Sequence, residues 1–230
     1  FFGLLEIRVF GFKNDDAATV VQFIAEQVRR DISFGVLPPD SRLKIEDLRQ
    51  RYGGSAHSFR EALTLLANEG IVEASTQRGF RVASASQADL EDVTRLRAEI
   101  EGLCLKWSMK HGAVRWEGEL IAARHAVDRA DRMVMDDIDA LALEWDEANR
   151  EFHAVLVSRC NSPRLIEFQS RLFFESRRFR FAVLKERAIE PERLKDMRNR
   201  LVDAVLARND QQATEALERL ILEPFGAPGN

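Results

Sequence analysis

The chain has 230 residues, of which 45% are hydrophobic, 31% charged and 8% aromatic, with a formal net charge of -4, a balance that fits a globular protein of one or two domains. Its longest apolar runs, such as 140–143 and 154–157, fall far short of the ~20 residues that span a bilayer, and residues 1–12 carry Glu6 and Arg8 in mid-run without a basic leader or a small-residue cleavage site, so neither a membrane span nor a secretory signal is expected. Cys104 and Cys160, the two cysteines, lack the spacing of a metal ribbon and are too few for a disulfide framework, which makes a reducing cytoplasm the expected compartment.

Residues 1–14 read as an arm or short strand. From Ala17 onward Val20, Val21, Phe23, Ile24, Val28 and Ile32 recur at helical spacing, with Asp15 or Asp16 as cap and Gly35 just past the end. Leu37-Pro38-Pro39-Asp40 is an extended or turn segment, because proline fixes its own φ and disfavours helix before it. A short helix is expected over 45–52, and Gly53-Gly54-Ser55 breaks it. Ser58 with Glu61 three residues on then matches a capping box for a third helix, in which Phe59, Ala62, Leu63, Leu66 and Ala67 form the apolar face and Gly70 the stop. The runs 71–74 and 80–83 read as the strands of a hairpin.

After Ser84-Ala85-Ser86 the strand signals vanish. Periodic segments at 87–111, 115–132, 136–159, 162–187 and 191–222 predict five or six helices, enough to bury a core of their own. The expected fold is mainly α: an N-terminal winged helix-turn-helix with a β-hairpin wing over 15–83, a linker at 84–86, and a C-terminal all-α helical bundle over 87–230.

Three helices with a tight glycine turn before the third, followed by a two-stranded hairpin, are the order of a DNA-binding unit that lays its third helix in the major groove. Composition gives this no support. Residues 20–83 carry nine Lys/Arg against eight Asp/Glu and 84–230 carry 23 against 27, so the DNA reading rests on motif and geometry.

The residues that carry a resemblance are Leu37-Pro38-Pro39-Asp40-Ser41-Arg42-Leu43, Ile45-Glu46-Asp47-Leu48, Arg51-Tyr52-Gly53, Arg60-Glu61-Ala62-Leu63, Glu69-Gly70-Ile71-Val72 and Arg78-Gly79-Phe80-Arg81-Val82. This run resembles the GntR family of bacterial transcription regulators. The helical remainder is similar to the effector-binding (FCD-type) domain of the FadR subfamily, through Leu96-Arg97, Ile100-Glu101-Gly102-Leu103, Asn149 with Phe152-His153, and Asn161-Ser162-Pro163-Arg164-Leu165. The resemblance implies a DNA-binding regulator, a repressor, that binds a double-stranded operator as a homodimer in the cytoplasm, without contact with a membrane. It places Arg60 and Ser58 on the reading helix, Arg78 and Gly79 at the wing tip, and Arg42 and Lys44 at phosphates. Ala56 stands where relatives carry an arginine, and His57 is the candidate to replace part of that contact.

In the resembled bundle an Asp or Asn, a His four residues on and two later His hold a metal. Here those positions fall on Asn149, His153, Arg198 and Leu220, or on Asn199 and Ile221 for the last two if the register slips by one. Neither set suits a transition metal, so no metal and no other cofactor is expected. Arg97 corresponds to an arginine that pairs an effector carboxylate, so the expected effector is a small organic acid held by Arg97, Asn149, His153 and Arg198. An internal Arg97–Glu101 pair stands as the alternative. Arg177, Arg178 and Arg180 read as a solvated face, and Phe173, Phe174, Phe179 and Phe181 as packing. Two other classes remain open: a ligand sensor that has lost DNA binding, suggested by Ala56, and an enzyme using His153 with Asp146 or Glu147, for which no nucleophile or phosphate-loop pattern is present.

Overall fold

The computed structural model describes residues 14–75 and 79–225. Helix α1 (Asn14–Ser33) begins ahead of the expected cap and buries Val21, Ile24, Ala25, Val28 and Ile32. Phe23 departs from the expected face: about 100° around the helix from Ile24, it is 61% exposed. Helix α2 (Ile45–Tyr52) meets α3 (Ala56–Asn68) across Gly53 and Gly54, whose φ of 71° and 99° lie in the left-handed region that glycine enters without penalty.

The cap of α3 differs from the expected one. Ser55, not Ser58, is the N-cap, and its hydroxyl accepts from the Ser58 backbone N–H at 3.0 Å. The helix starts three residues earlier because extended backbone at Ser55 follows directly from the glycine pair. Ser58 thereby becomes a first-turn residue, and Glu61 lies 3.2 Å from His57 instead of closing a box.

Strands β2 (Val72–Ser75) and β3 (Gly79–Val82) form the expected antiparallel hairpin. A third strand, β1 (Arg42–Leu43), pairs with β3 to give the order β1-β3-β2. Two residues carry too little alternation to be read as a strand. Val82 fixes it nonetheless, through Val82 N–H to Ser41 O at 2.9 Å and Asp40 N–H to Val82 O at 3.2 Å. Leu43, Leu48, Phe59, Leu63, Leu66, Val72 and Val82 close one core with α1, each large side chain contributing ~1.5–3 kcal/mol of burial.

The C-terminal part comprises α4 (Gln87–His111), α5 (Val114–Val134), α6 (Ile138–Val157), α7 (Pro163–Glu175), α8 (Arg177–Lys185), α9 (Pro191–Leu206), α10 (Asp210–Leu222) and a 3-10 turn, Glu223–Phe225. Two segments that read as single helices are each split, at Ser176 and at Ala207–Asn209. At the second break Arg208 takes φ 55° and Asn209 caps α10. Neither break contains glycine or proline, so the hydrophobic period runs through it undisturbed. Leu105, Trp116, Leu120, Val127, Phe152, Leu156, Leu201, Val205 and Leu217 form the main core. No helix among the described residues is long and apolar enough to cross a membrane.

The two parts meet where α1 ends. Phe34 stacks on Phe181 of α8 with ring centroids 5.5 Å apart, and Lys185 donates to the Phe34 carbonyl.

Candidate functional site

The first site is the surface formed by α3 and the sheet. The glycine turn and the Ser55 cap aim the first turn of α3 away from the core, which leaves Arg60 and His57 exposed and Ser58 half-buried, while Phe59 anchors the helix from below. Arg42 on β1 and Lys44, the N-cap position of α2, are exposed as well. Among the described residues none of Arg42, Lys44 and Arg60 takes part in an ion pair. Arg42 stands directly opposite Arg81 in the β1–β3 register. Facing like charges repel, and a phosphate between them relieves the repulsion. Gly79, at φ 73°, is exposed at the start of β3. Arg78, expected at the wing tip, lies outside the described residues.

The second site is a cavity of about 60 Å³ within the bundle. Its polar wall is made by Arg97 (α4), Asn149 and His153 (α6), Arg180 (α8) and Arg198 (α9), and the remainder is apolar, from Trp145, Phe152 and Phe173 to Leu220 and Phe225. All four residues expected to bind an effector, Arg97, Asn149, His153 and Arg198, therefore share one wall.

Glu101, behind this wall, joins two of its residues. It is fully buried, 2.9 Å from Arg97 Nε through Oε1 and 2.6 Å from His153 Nδ1 through Oε2. Burial alone would raise its pKa, but Arg97 and His153 outweigh that and hold it at about 2. For His153 burial wins over Glu101 and the pKa falls, so the ring is neutral at pH 7. An ionised carboxylate only accepts, which places the His153 proton on Nδ1 and leaves Nε2 as a free acceptor. Asn149 donates its amide to the Trp145 carbonyl at 2.9 Å, so its Oδ1 is an acceptor too.

The other cations are likewise paired. Asp146 receives Arg177 at 2.6 Å and Arg180 at 2.9 and 2.6 Å. Burial opposes its ionisation, yet the two guanidiniums keep its pKa below the ordinary value. Burial, with Arg97 and Arg177 nearby, brings Arg180 down to about 10 against the pull of Asp146. Arg198 is 2% exposed and binds Asp128 at 2.7 Å and Asp131, the latter pushed up by burial. One donor is left over: Arg97 Nη2 is buried and has no hydrogen-bond partner.

Arg177 and Arg180 thus correct the expectation of a solvated face. The break at Ser176 begins a new helix whose inner side takes Arg177, Arg180, Phe181 and Leu184; Arg178 is half-buried. Arg97 pairs with Glu101 as the internal alternative foresaw, and Arg198 brings its own aspartates. The donor set does not fit a metal: of the four relevant positions, Arg198 repels a cation and Leu220 cannot coordinate one.

Comparison with known proteins decides the family. The profile described as "Bacterial regulatory proteins, gntR family" matches residues 20–82, and that of the FCD domain matches residues 92–223. The HTH-type transcriptional regulator BphR of Paraburkholderia xenovorans (strain LB400) is 34% identical over 203 residues, 86% of this chain and 81% of BphR. The HTH-type transcriptional repressor GlaR of Escherichia coli (strain K12) is 32% identical over 201 residues, 86% of this chain and 90% of GlaR. The chain belongs to the GntR family. As a GntR-family protein with an FCD domain it is a DNA-binding transcription regulator. The solved structure of E. coli McbR/YncC has the same fold, with a TM-score of 0.66 at 20% identity over 88% of this chain and 93% of that chain.

Within this GntR-family chain, Asp128 and Asp131 carry no signal in the sequence, Arg180 reads there as a solvated face, and Asp146 only as an acid–base group. A signal for Asp146 was present. It lies on the same side of α6 as Ala142, Asn149 and His153, and a carboxylate on a helix face that faces a core requires a cation brought from elsewhere.

Proposed function

We propose that this regulator is a repressor that acts as a homodimer in the cytoplasm and responds to a small organic acid bound in the bundle cavity. The observation that carries the effector class is Arg97 Nη2, a buried guanidinium N–H without a partner at the cavity wall. Leaving such a donor unmade costs ~1–3 kcal/mol or more, and a carboxylate oxygen is the group that satisfies it best. His153 Nε2 and Asn149 Oδ1 supply acceptors for a hydroxyl or ammonium on the same ligand, and the apolar wall suits its carbon skeleton. No metal takes part in this reading, because the positions that would complete a ligand set are Arg198 and Leu220.

The repressor reading follows the name of GlaR. Dimerisation is favoured because one α3 spans only a few base pairs and a two-fold arrangement doubles the site. Leu96, Leu103 and Trp107, exposed along one side of α4, offer apolar surface for it. On the DNA side, Arg60 and Ser58 with His57 read from α3, Arg42 and Lys44 hold phosphates, and Arg78-Gly79 enters the groove beside them.

A panel of small carboxylic acids, screened by thermal shift and by operator binding in fluorescence anisotropy, tests the effector class. At least one acid is expected to raise the melting temperature and change operator affinity in the wild type but not in Arg97→Ala. A panel without any responder, or a response that persists at unchanged concentration in Arg97→Ala, overturns it.

A further inference from the structure

We propose that the α7–α8 elbow at Ser176 is the element that couples the cavity to the DNA-reading helix, with Ser176 as a positioning residue. The inference deepens the effector reading and rests on the cavity being where the signal starts, but its test needs no effector.

The hydroxyl of Ser176 is fully buried and fully used. It donates to the Phe173 carbonyl at 2.9 Å and accepts from Arg97 Nη1 at 3.2 Å and Arg180 Nη1 at 2.7 Å. A hydroxyl has one proton and two lone pairs, so Ser176 has nothing further to offer, and its bond to Arg97 is the longest of the three. Arg97 is also the group with an unsatisfied Nη2. A ligand that engages Nη2 pulls on the same rigid guanidinium whose Nη1 ties α4 to the elbow.

The outer side of the same elbow rests on the DNA-binding part. Glu175 packs against Gly70 so closely that a Cβ on Gly70 would overlap its side chain. Gly70, at φ 74°, ends α3: its N–H bonds Ala67 O at 3.0 Å, and Ile71 N–H bonds Leu66 O at 3.2 Å. Arg178 is set among Asp89, Glu175, Glu73 and Asp40, which span the start of α4, the end of α7, strand β2 and the turn before β1, and its Nε and Nη1 are buried without hydrogen-bond partners. Along α8 the next contact is again with the DNA-binding part, through Phe181 on Phe34 and Lys185 on the Phe34 carbonyl.

The break in helix that sequence periodicity hides thus lies with its inner residues, Phe173, Ser176 and Arg180, on the cavity side, while on its outer side Glu175 meets the end of the reading helix and Arg178 faces strand β2 and the turn before β1. Across the joint the Ser176 N–H bonds Leu172 O at 3.1 Å and the Arg180 N–H bonds Ser176 O at 3.3 Å, while the Phe173 carbonyl accepts from the Ser176 hydroxyl and Arg180 Nη1, so side chains hold part of the angle between α7 and α8. Two sites that bias one such joint are coupled reciprocally.

Hydrogen exchange on the full wild-type chain, with and without an operator fragment recovered by in vitro selection, reads the coupling from the DNA side. Operator binding is expected to change exchange at residues 173–181, which the docking of α3 leaves clear of the DNA. From the cavity side, Arg97→Gln and Ser176→Ala are each expected to change exchange at residues 69–75 and to shift operator Kd by about fivefold or more, the lower end of ordinary coupling between sites. The double variant is expected to do no more than the stronger single one. Arg124→Ala, which removes a bond to Asn199 between α5 and α9, is the control for general loosening and is expected to leave 69–75 as in the wild type. Unchanged exchange at 173–181 on operator binding overturns the proposal even if neither cavity variant folds. Additive effects of Arg97→Gln and Ser176→Ala overturn it as well. Failure of every acid to bind would sink the effector reading and leave these outcomes as they are.

Discussion

His153 donates its Nδ1 proton to Glu101 across 2.6 Å inside the bundle, and both side chains are withdrawn from solvent. The pair stores opposite electrostatic preferences in one contact: burial keeps the imidazole neutral, while Arg97 and His153 keep the carboxylate charged.

That contact sets a pH dependence. Folding lowers the His153 pKa from an ordinary 6.5, so just below pH 6.5 the unfolded chain binds more protons there, and stability falls as the solution is acidified. Glu101 acts in the same direction further down: ordinarily 4.5 and held at about 2, its contribution is complete above its unfolded pKa and is lost as the pH falls through the range between the two. Urea midpoints are expected to drop as the pH falls below about 6.5, and further below about 4.5. His153→Asn should flatten the upper limb. A midpoint that holds steady or climbs on acidification from neutrality rules this out.

Asp146 is the sole carboxylate within hydrogen-bond reach of both Arg177 and Arg180 among the described residues. Removing one partner of a buried charge group leaves the others uncompensated, at a cost of ~3–5 kcal/mol. Asp146→Asn is therefore expected to lower the unfolding free energy by about that much, whereas Glu147→Gln on the exposed side of the same helix, paired only with Arg150, should change it by less than about 1 kcal/mol. Equal effects of the two substitutions in denaturant melts would show that Asp146 is not the anchor of α8.

The first turn of α3 offers a local test. Ser55 supplies the cap, and Ser58, three residues on, only shares a hydroxyl contact with it at 2.9 Å. Ser55→Ala is expected to cost about 1 kcal/mol and Ser58→Ala a few tenths. The reverse order in urea unfolding would restore the cap that the Ser-x-x-Glu pattern suggests.

Much of this architecture was legible because hydrophobic period and turn chemistry are local. The three helices of the reading unit, the hairpin and the start of the bundle follow from residues such as Val28, Leu48, Leu63 and Val82 within their own segments. Ser55 was passed over because only Ser58 has a glutamate three residues on, and it is the backbone set by Gly53-Gly54 that makes Ser55 the cap. The split at Ser176 was hidden for a different reason. Phe173, Arg177, Arg180 and Phe181 keep helical spacing across it, and what ends α7 there is a hydroxyl claimed by Arg97 from 79 residues away in sequence. Arg97, Asn149, His153 and Arg198 were readable as one wall by resemblance; the acids that neutralise Arg198, Asp128 and Asp131, come from α5 and show no joint pattern with it in the chain.

Arg60 carries the last prediction. It is exposed on α3, no described acid pairs with it, and its backbone carbonyl accepts from Thr64 Oγ1 at 2.7 Å on the helix's own surface. Truncating it removes no core contact, so Arg60→Ala should unfold like the wild type. On operator DNA the loss should be large, because Ala56 stands where the family resemblance implies a second arginine, and His57 is drawn toward Glu61 at 3.2 Å. A lost two-point base contact is worth ~1–3 kcal/mol, roughly five- to 150-fold in Kd at one salt concentration. A phosphate contact at the same position would instead weaken all sequences alike and lower the salt slope by about one. Titrations by anisotropy at several salt concentrations, on operator and on scrambled DNA, separate the two roles. A folded Arg60→Ala protein with wild-type affinity and wild-type salt slope on the operator would mean that α3 does not enter the groove by this end.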